Sequence, residues 1–97
     1  MKIGFIGLGL MGSRMAEHVQ KAHGNLVVHN RTKEKAASLM SAGAEWKDSP
    51  RAVGEAADIV ITMLTDPSAV EAVAYGKAGL LAGMREGALW IDCTTVN

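Results

Sequence analysis

The 97-residue sequence contains one cysteine, Cys93, and no excess of charge of either sign. A single cysteine cannot build an internal disulfide framework, so the composition is compatible with a reducing cytosol and we expect a cytoplasmic protein. Ten lysines and arginines balance ten aspartates and glutamates, which gives no indication of a nucleic-acid partner. No apolar run approaches the length of a membrane span, so we expect no membrane partner either.

The apolar N-terminus has too many glycines for a signal peptide. Four glycines interrupt the segment after Lys2, and no small-residue cleavage site follows it. We therefore interpret it as part of a folded domain. A hydrophobic content of 48% and a charged content of 21% are ordinary for one small globular domain.

The most informative motif is a glycine-spaced turn between an apolar run and a helix-like run. It follows residues 3–6 and precedes residues 13–22, and this context is typical of a dinucleotide fingerprint. The first glycine permits a tight turn, the second lets the backbone approach a pyrophosphate, and the third allows close helix–strand packing. We predict that the cofactor is bound here by Gly7, Leu8, Gly9, Leu10, Met11 and Gly12.

A second motif indicates which dinucleotide binds. An NAD site usually carries Asp or Glu after the second strand, where it binds the ribose 2′-hydroxyl. This sequence has Asn30 there, followed by Arg31 and Thr32. A cation at this place is expected to bind the 2′-phosphate, so we predict NADP, with NAD the weaker ligand. Arg31 as a plain surface residue is the alternative. Thr32 is expected to cap the next helix, whose N-terminus would also favour a phosphate.

Short apolar runs alternate with helix-like runs along the chain, and this predicts a Rossmann-like, doubly wound α/β domain with a mostly parallel sheet. The run at 58–64 reads as a strand buried on both faces. The predicted strands are 2–6, 26–30, 44–46, 58–64 and 89–92, and the predicted helices are 10–22, 33–42, 50–55 and 67–75, with one helical turn near Leu80. Ser49 and Asp66, each followed by a proline, are expected to cap the helices that begin at 50 and 67.

Polar or glycine-rich segments follow four of these strands at their carboxyl ends. In open α/β sheets these ends line the ligand crevice. The segments are residues 7–12, 30–32, 63–66 and 92–96. Nothing after them in the sequence could close over the crevice, so we expect the first part of the nucleotide-binding domain of a larger enzyme.

These motifs together resemble the β-hydroxyacid dehydrogenase family, which includes 3-hydroxyisobutyrate dehydrogenases, tartronate semialdehyde reductases and glyoxylate/succinic semialdehyde reductases. The resemblance rests on residues 4–12, 30–32, 63–67 and 91–96. It implies that Met63 and Leu64 flank the cofactor and that Thr95 contacts it near the nicotinamide. It also implies that Thr94 and Thr95 contact the substrate, although Thr94 stands where the family usually has serine.

The resemblance implies a parent enzyme that transfers hydride between NADP and a small 3-hydroxyacid or semialdehyde. The family's catalytic lysine belongs to a mainly helical C-terminal domain. None of the six lysines here lies in a matching motif, so we assign no catalytic residue and expect the 97-residue chain alone to be inactive. A homo-oligomer would form through the C-terminal domain.

The sequence leaves alternative roles open for several residues and for the chain as a whole. Asp92 is either an acid or base or a turn-forming residue, with the second reading favoured. Cys93 is interpreted as a packing residue, and His18, His23 and His29 lack metal-ligand spacing. A non-catalytic nucleotide-binding module and a 6-phosphogluconate or pyrroline-carboxylate type of enzyme are the competing functions. The segment 92–96 argues against the latter type.

Overall fold

A computed structural model describes residues 1–64 and 67–93 of the chain. Strands and helices alternate throughout, as the sequence predicts. The strands are β1 (Ile3–Ile6), β2 (Leu26–His29), β3 (Glu45–Trp46), β4 (Ile59–Thr62) and β5 (Leu89–Asp92); the helices are α1 (Leu10–His23), α2 (Ala37–Ser41), α3 (Pro50–Ala56), α4 (Pro67–Ala74) and α5 (Leu80–Gly83), with a 3-10 helix at Lys33–Ala36.

The five strands form one parallel sheet in the order β3-β2-β1-β4-β5. Strand order reverses between β1 and β4, because β1 lies beside both β2 and β4. This arrangement confirms the predicted Rossmann-like fold, and it places a crevice at the carboxyl ends of β1 and β4.

Side chains alternate between two apolar layers on opposite sides of the sheet. On the side we call the α1 face, Phe5 and Val28 pack with Leu39 of α2. On the opposite side, the α3 face, Ile6 and Val60 pack with α3 and α5. The alternation follows from the two-residue period of a strand, which sends successive side chains to opposite faces.

Helix capping agrees with the sequence at one helix and differs at another. The Ser49 hydroxyl accepts a hydrogen bond from the Ala52 N–H at 3.1 Å and caps α3, as expected. Thr32 occupies the cap position before Lys33 but makes no capping hydrogen bond with its side chain. The helix predicted at 33–42 is present over residues 33–41, but it begins as a 3-10 turn at Lys33–Ala36 and only then continues as α2. The short segment offers no extended helix dipole.

The expectation that β4 is buried on both faces is wrong. Val60 and Thr62 are fully buried on the α3 face. Ile59 and Ile61, which point to the α1 face, are only partly buried. The reason is that the contacts on the α1 face come from α1 and α2, and these helices lie over the β1–β2 side of the sheet. Within residues 1–64 and 67–93, no helix has the length and apolar character needed to cross a membrane.

Candidate cofactor site

The glycine turn lies at the point where the strand order reverses. Gly7 follows β1, and its N–H donates to the His29 carbonyl at the end of β2 at 3.2 Å. On the other side, the Met63 N–H donates to the Ile6 carbonyl at 3.0 Å. The turn is therefore tied to both neighbouring strands, at the edge of the sheet where open α/β folds bind ligands.

The first and third glycines of the motif are required by the fold itself. Gly7 has φ +99°, a conformation that side-chain-bearing residues rarely adopt. A Cβ on Gly7 would strike the Met63 carbonyl, and a Cβ on Gly12 would strike the Gly7 carbonyl. Gly12 thus lets α1 pack directly against the end of β1, as the sequence predicts.

Gly9 differs from the other two glycines because no contact within residues 1–64 and 67–93 requires it to be glycine. Its φ is −69°, and a Cβ placed there would meet no atom of these residues within 4 Å. It is the N-cap residue of the 14-residue helix α1, and it supplies no side-chain cap. The first N–H groups of a helix lack intrahelical partners and attract anions. Open space and unpaired donors together fit the pyrophosphate of a dinucleotide.

Leu8 and Asn30 join the glycine turn to the loop after β2. The Asn30 Oδ1 atom accepts from the Leu8 N–H at 2.8 Å, and Asn30 Nδ2 donates to the Thr32 carbonyl at 3.0 Å. The Leu8 side chain is buried in the core on the α1 face. Ser13 adds a further bond by donating its hydroxyl to the Leu8 carbonyl at 2.9 Å. Sequence reasoning did not single out Ser13.

Arg31 is exposed directly beside this junction. In the described part of the chain, its guanidinium makes no hydrogen bond or ion pair. The neighbouring Lys33 ammonium lies 5.6 Å from the centre of the Trp46 ring. The His29 ring packs against the same ring at a tilt of 39°, with 5.3 Å between the ring centres. The loop after β2 is therefore fixed at both ends while its arginine is available to an anion.

Two of the remaining predicted contacts, Met63 and Leu64, lie on the β4 side of the crevice. Met63 and Leu64 are partly buried and belong to opposite apolar layers, Met63 on the α1 face and Leu64 on the α3 face. Both follow β4 at its carboxyl end, as the predicted cofactor contacts require. Thr94 and Thr95 lie outside the described residues, and so does Asp66, which the sequence suggested as a helix cap.

Asp92 and Cys93 end the described chain at the same edge of the sheet. The Asp92 carboxylate accepts a hydrogen bond from the Thr62 hydroxyl at 2.9 Å, and the Cys93 N–H donates to the Thr62 carbonyl at 2.8 Å. Trp90 also donates its indole N–H to the Thr62 hydroxyl, at 3.0 Å. Sequence reasoning missed Thr62 and Trp90. The signal for Thr62 was a hydroxyl in an otherwise apolar strand, and the signal for Trp90 was an indole N–H that needs an acceptor when it is buried.

The described residues contain no group of three or more metal-ligand side chains. His29 uses its Nδ1 atom in a hydrogen bond with the Lys47 carbonyl at 2.9 Å, a contact that joins β2 to the residue after β3. The crevice thus offers backbone donors, an arginine and hydroxyl groups, which suit a phosphate-bearing organic ligand.

Comparison with known families agrees with this geometry. Residues 2–97 match the family model described as the NAD binding domain of 6-phosphogluconate dehydrogenase. The chain is 47% identical over 93 residues to the "Uncharacterized oxidoreductase YkwC" of Bacillus subtilis, a match that covers 96% of this chain and 32% of the relative. It is 41% identical over 97 residues to the chloroplastic glyoxylate/succinic semialdehyde reductase 2 of Arabidopsis thaliana, covering 100% and 27%.

Solved structures give the same result at the level of the fold. A structure described as Psf3 in complex with NADP+ and 2-OPP superposes with a TM-score of 0.89 at 33% identity, covering 97% of this chain and 34% of that one. The chain thus spans between 27% and 34% of the length of these three proteins.

Proposed function

The chain belongs to the family of NAD binding domains of the 6-phosphogluconate dehydrogenase type, and from this premise we propose that it holds NADP(H) in an enzyme that oxidises small 3-hydroxyacids or reduces the corresponding semialdehydes. The relatives named as oxidoreductases support the reaction class. The substrate range we propose is 3-hydroxyisobutyrate, tartronate semialdehyde, glyoxylate or succinic semialdehyde.

The observation that carries the cofactor assignment is the contrast among the three glycines. Gly7 and Gly12 are explained by backbone contacts inside the protein, whereas Gly9 faces open space beside the N-terminus of α1. A ligand whose anionic group rests on that helix end accounts for the missing side chain. We propose that the pyrophosphate is bound by the backbone of the turn, with Met11, 64% exposed at the start of α1, beside it.

Arg31 is the residue we propose for the choice of NADP over NAD. A guanidinium can form two parallel hydrogen bonds to a phosphate, and its charge matches the 2′-phosphate that NAD lacks. Asn30 is committed to the Leu8 N–H, so its part is to hold the loop and offer its remaining amide hydrogen. Thr32 makes no capping bond, and its hydroxyl is a second donor for the phosphate.

The nicotinamide supplies the hydride chemistry when it is bound. For this chain we propose binding and orientation: Met63 and Leu64 flank the cofactor, Thr95 lies near the nicotinamide, and Thr94 and Thr95 contact the substrate. A lysine outside these 97 residues would transfer the proton, and on this proposal the chain alone has no turnover. NADPH oxidation with glyoxylate or succinic semialdehyde by the purified 97-residue chain would contradict it.

The cofactor assignment is tested by titrating NADPH and NADH into the wild type and Arg31→Ala. A hydrogen bond to a charged group is worth about 1.5–3 kcal/mol, so we expect NADPH affinity to fall on the order of tenfold to a hundredfold and NADH affinity to change little. The matched control is Arg85→Ala, which removes a cation from the opposite edge of the sheet. Equal losses for the two cofactors, or a wild type that prefers NADH, would show that Arg31 does not bind the 2′-phosphate.

The proposed pyrophosphate-binding site at the glycine turn is tested with Gly9→Val and Gly12→Ala. We expect Gly9→Val to weaken cofactor binding far more than it lowers the free energy of unfolding, because its side chain enters the space proposed for the pyrophosphate. We expect Gly12→Ala to lower the unfolding midpoint, because its Cβ meets the Gly7 carbonyl. If Gly9→Val binds both cofactors as the wild type does, the glycine turn is not the pyrophosphate-binding site.

The substrate is tested on the whole protein with a panel of hydroxyacids, semialdehydes, 6-phosphogluconate and a pyrroline carboxylate. Turnover of the 3-hydroxyacid or semialdehyde members supports the proposal. Turnover of 6-phosphogluconate or the pyrroline carboxylate would assign a different branch of the family. Cofactor binding without any turnover would favour a non-catalytic nucleotide-binding module.

A further inference from the structure

A buried hydroxyl links the ends of β4 and β5 at the candidate site. Thr62 is fully buried, and its hydroxyl lies between the Trp90 indole N–H at 3.0 Å and an Asp92 carboxylate oxygen at 2.9 Å. The three side chains share the α3 face, because Thr62 lies opposite Asp92 in the sheet and Trp90 is two residues earlier on the same strand.

The chemistry of the three groups fixes the direction of both hydrogen bonds. An indole N–H only donates, and a carboxylate only accepts. The single hydroxyl hydrogen of Thr62 must therefore be donated to Asp92, while its oxygen accepts from Trp90. This gives one ordered chain from Trp90 through Thr62 to Asp92, with no alternative arrangement of hydrogens.

The same threonine also binds the backbone that follows. The Cys93 N–H donates to the Thr62 carbonyl at 2.8 Å. Thr62 thus holds the last two described residues before Thr94 by two separate bonds, one through its side chain and one through its main chain. The indole is partly buried in the apolar layer of the α3 face, so the hydrogen-bond chain is anchored in the core.

We infer that the Trp90–Thr62–Asp92 chain is a positioning device that sets the direction in which the backbone leaves β5 toward Thr94 and Thr95. This inference rests on the proposed function, in which those two threonines face the nicotinamide and the substrate. Thr62 touches neither ligand; it acts through Asp92 and Cys93. Removal of its hydroxyl leaves a partly buried indole N–H without this acceptor and takes one donor from the carboxylate.

The experiment compares Thr62→Val, which has nearly the same shape without the hydroxyl, with Thr62→Ser, which keeps it. In the whole protein, hydrogen–deuterium exchange of the peptide containing residues 93–97 should be about tenfold faster in Thr62→Val than in the wild type. Thr62→Ser should restore the wild-type rate. Trp90→Phe removes the donor that orients the Thr62 hydroxyl but leaves the Thr62–Asp92 bond, so the rate should rise above that of the wild type but less than in Thr62→Val.

Steady-state kinetics with the substrate found in the panel provide the functional measurement. We expect KM for the substrate to rise about tenfold in Thr62→Val, of the order of the loss of one hydrogen bond to a charged group. NADPH affinity, set on the β1–β2 side, should change less than twofold, and Thr62→Ser should recover KM.

Unchanged exchange in Thr62→Val would overturn the inference, and so would faster exchange with unchanged KM and kcat. A wild type that turns over no member of the panel would instead contradict the proposed function. In that case the exchange rates of Thr62→Val and Thr62→Ser still decide whether Thr62 holds the segment.

Discussion

The two halves of the sheet carry similar side chains but have very different surroundings. One row of residues crosses the α1 face from Leu26 in β2 through Ile3 and Ile59 to Leu89 in β5. Leu26 and Ile3 are 3% and 7% exposed, Ile59 is partly buried, and Leu89 is 54% exposed. The next row repeats the trend, from the buried Val28 to Ile91 at 41%.

This difference shows that the apolar sequence of a strand does not reveal which of its two faces is buried by helices. β2 and β5 each alternate large apolar residues on the α1 face, yet α1 and α2 lie only over the first. On the α3 face the two halves are alike, because Val27, Val60 and Trp90 all pack into one apolar layer. The candidate site lies where these halves meet.

The largest expected effect comes from the same substitution made in the two halves. Leu26→Ala should lower the free energy of unfolding by about 2–5 kcal/mol, because it leaves a cavity in a closed apolar layer. Leu89→Ala should cost about 1 kcal/mol or less, because its side chain is half in solvent. Urea denaturation of the 97-residue chain measures both. Equal losses would mean that the α1 face is covered over β5 as well.

A smaller effect is expected on self-association. In the sheet formed by residues 1–64 and 67–93, β5 is an edge strand with exposed Leu89 and Ile91, and exposed apolar edges promote pairing with other chains. Ile91→Lys should reduce concentration-dependent association, seen by sedimentation, with a change in unfolding free energy of about 1 kcal/mol or less. Leu81→Lys, at a residue 47% exposed on α5, is the control and should leave association as it is. If both variants reduce association equally, the β5 edge is not the surface through which the chains associate.

The smallest effect concerns the Asp58 carboxylate, which joins the two halves at the opposite edge of the sheet. The Asp58 carboxylate accepts from the Lys2 backbone N–H at 2.9 Å and from Arg85 at 2.7 Å. The Lys2 hydrogen bond first, and then the charge of Arg85, lower the pKa of Asp58 below its usual value.

A lowered pKa in the folded state stabilises the protein above the unfolded-state pKa, and this contribution is lost as pH falls through the folded-state value. Both partners of the pair are exposed, so the contribution should be small. Stability measured from pH 6 down to about pH 2 should therefore decline slightly less steeply in Asp58→Asn than in the wild type. A steeper decline in the variant would reverse the assigned sign.

The sequence predicted the order of strands and helices because hydrophobic periodicity and capping residues are local signals. Ser49 followed by proline and the glycine turn are examples that the structure confirms. The break between the 3-10 turn and α2 was not predicted, since it depends on how Ala36 and Leu39 pack under the sheet. Nor was the close approach of α3 to α5, where a Cβ on Gly54 would lie 2.9 Å from the Met84 nitrogen and 3.0 Å from the Leu80 carbonyl oxygen.

The candidate site divides in the same way. Gly7 and Gly12 follow from one short contiguous motif, and the place of Arg31 follows from another. The Thr62–Asp92 contact joins residues that are 30 positions apart, and no sequence motif around either residue predicts the contact. Such contacts become visible only when the register of two strands is known.

The handedness of the crossover connections has a consequence for the part of the α1 face over β4 and β5, which α1 and α2 leave exposed. Crossovers between parallel strands are right-handed, so those that run from β1 toward β2 and those that run from β4 toward β5 lie on opposite sides of the sheet. α1 and α4–α5 obey this rule. Any further parallel strand joined beside β5 would bring its helix to the α3 face again. Cover for Ile61 and Leu89 must therefore come from a segment that is not such a crossover, or from another molecule.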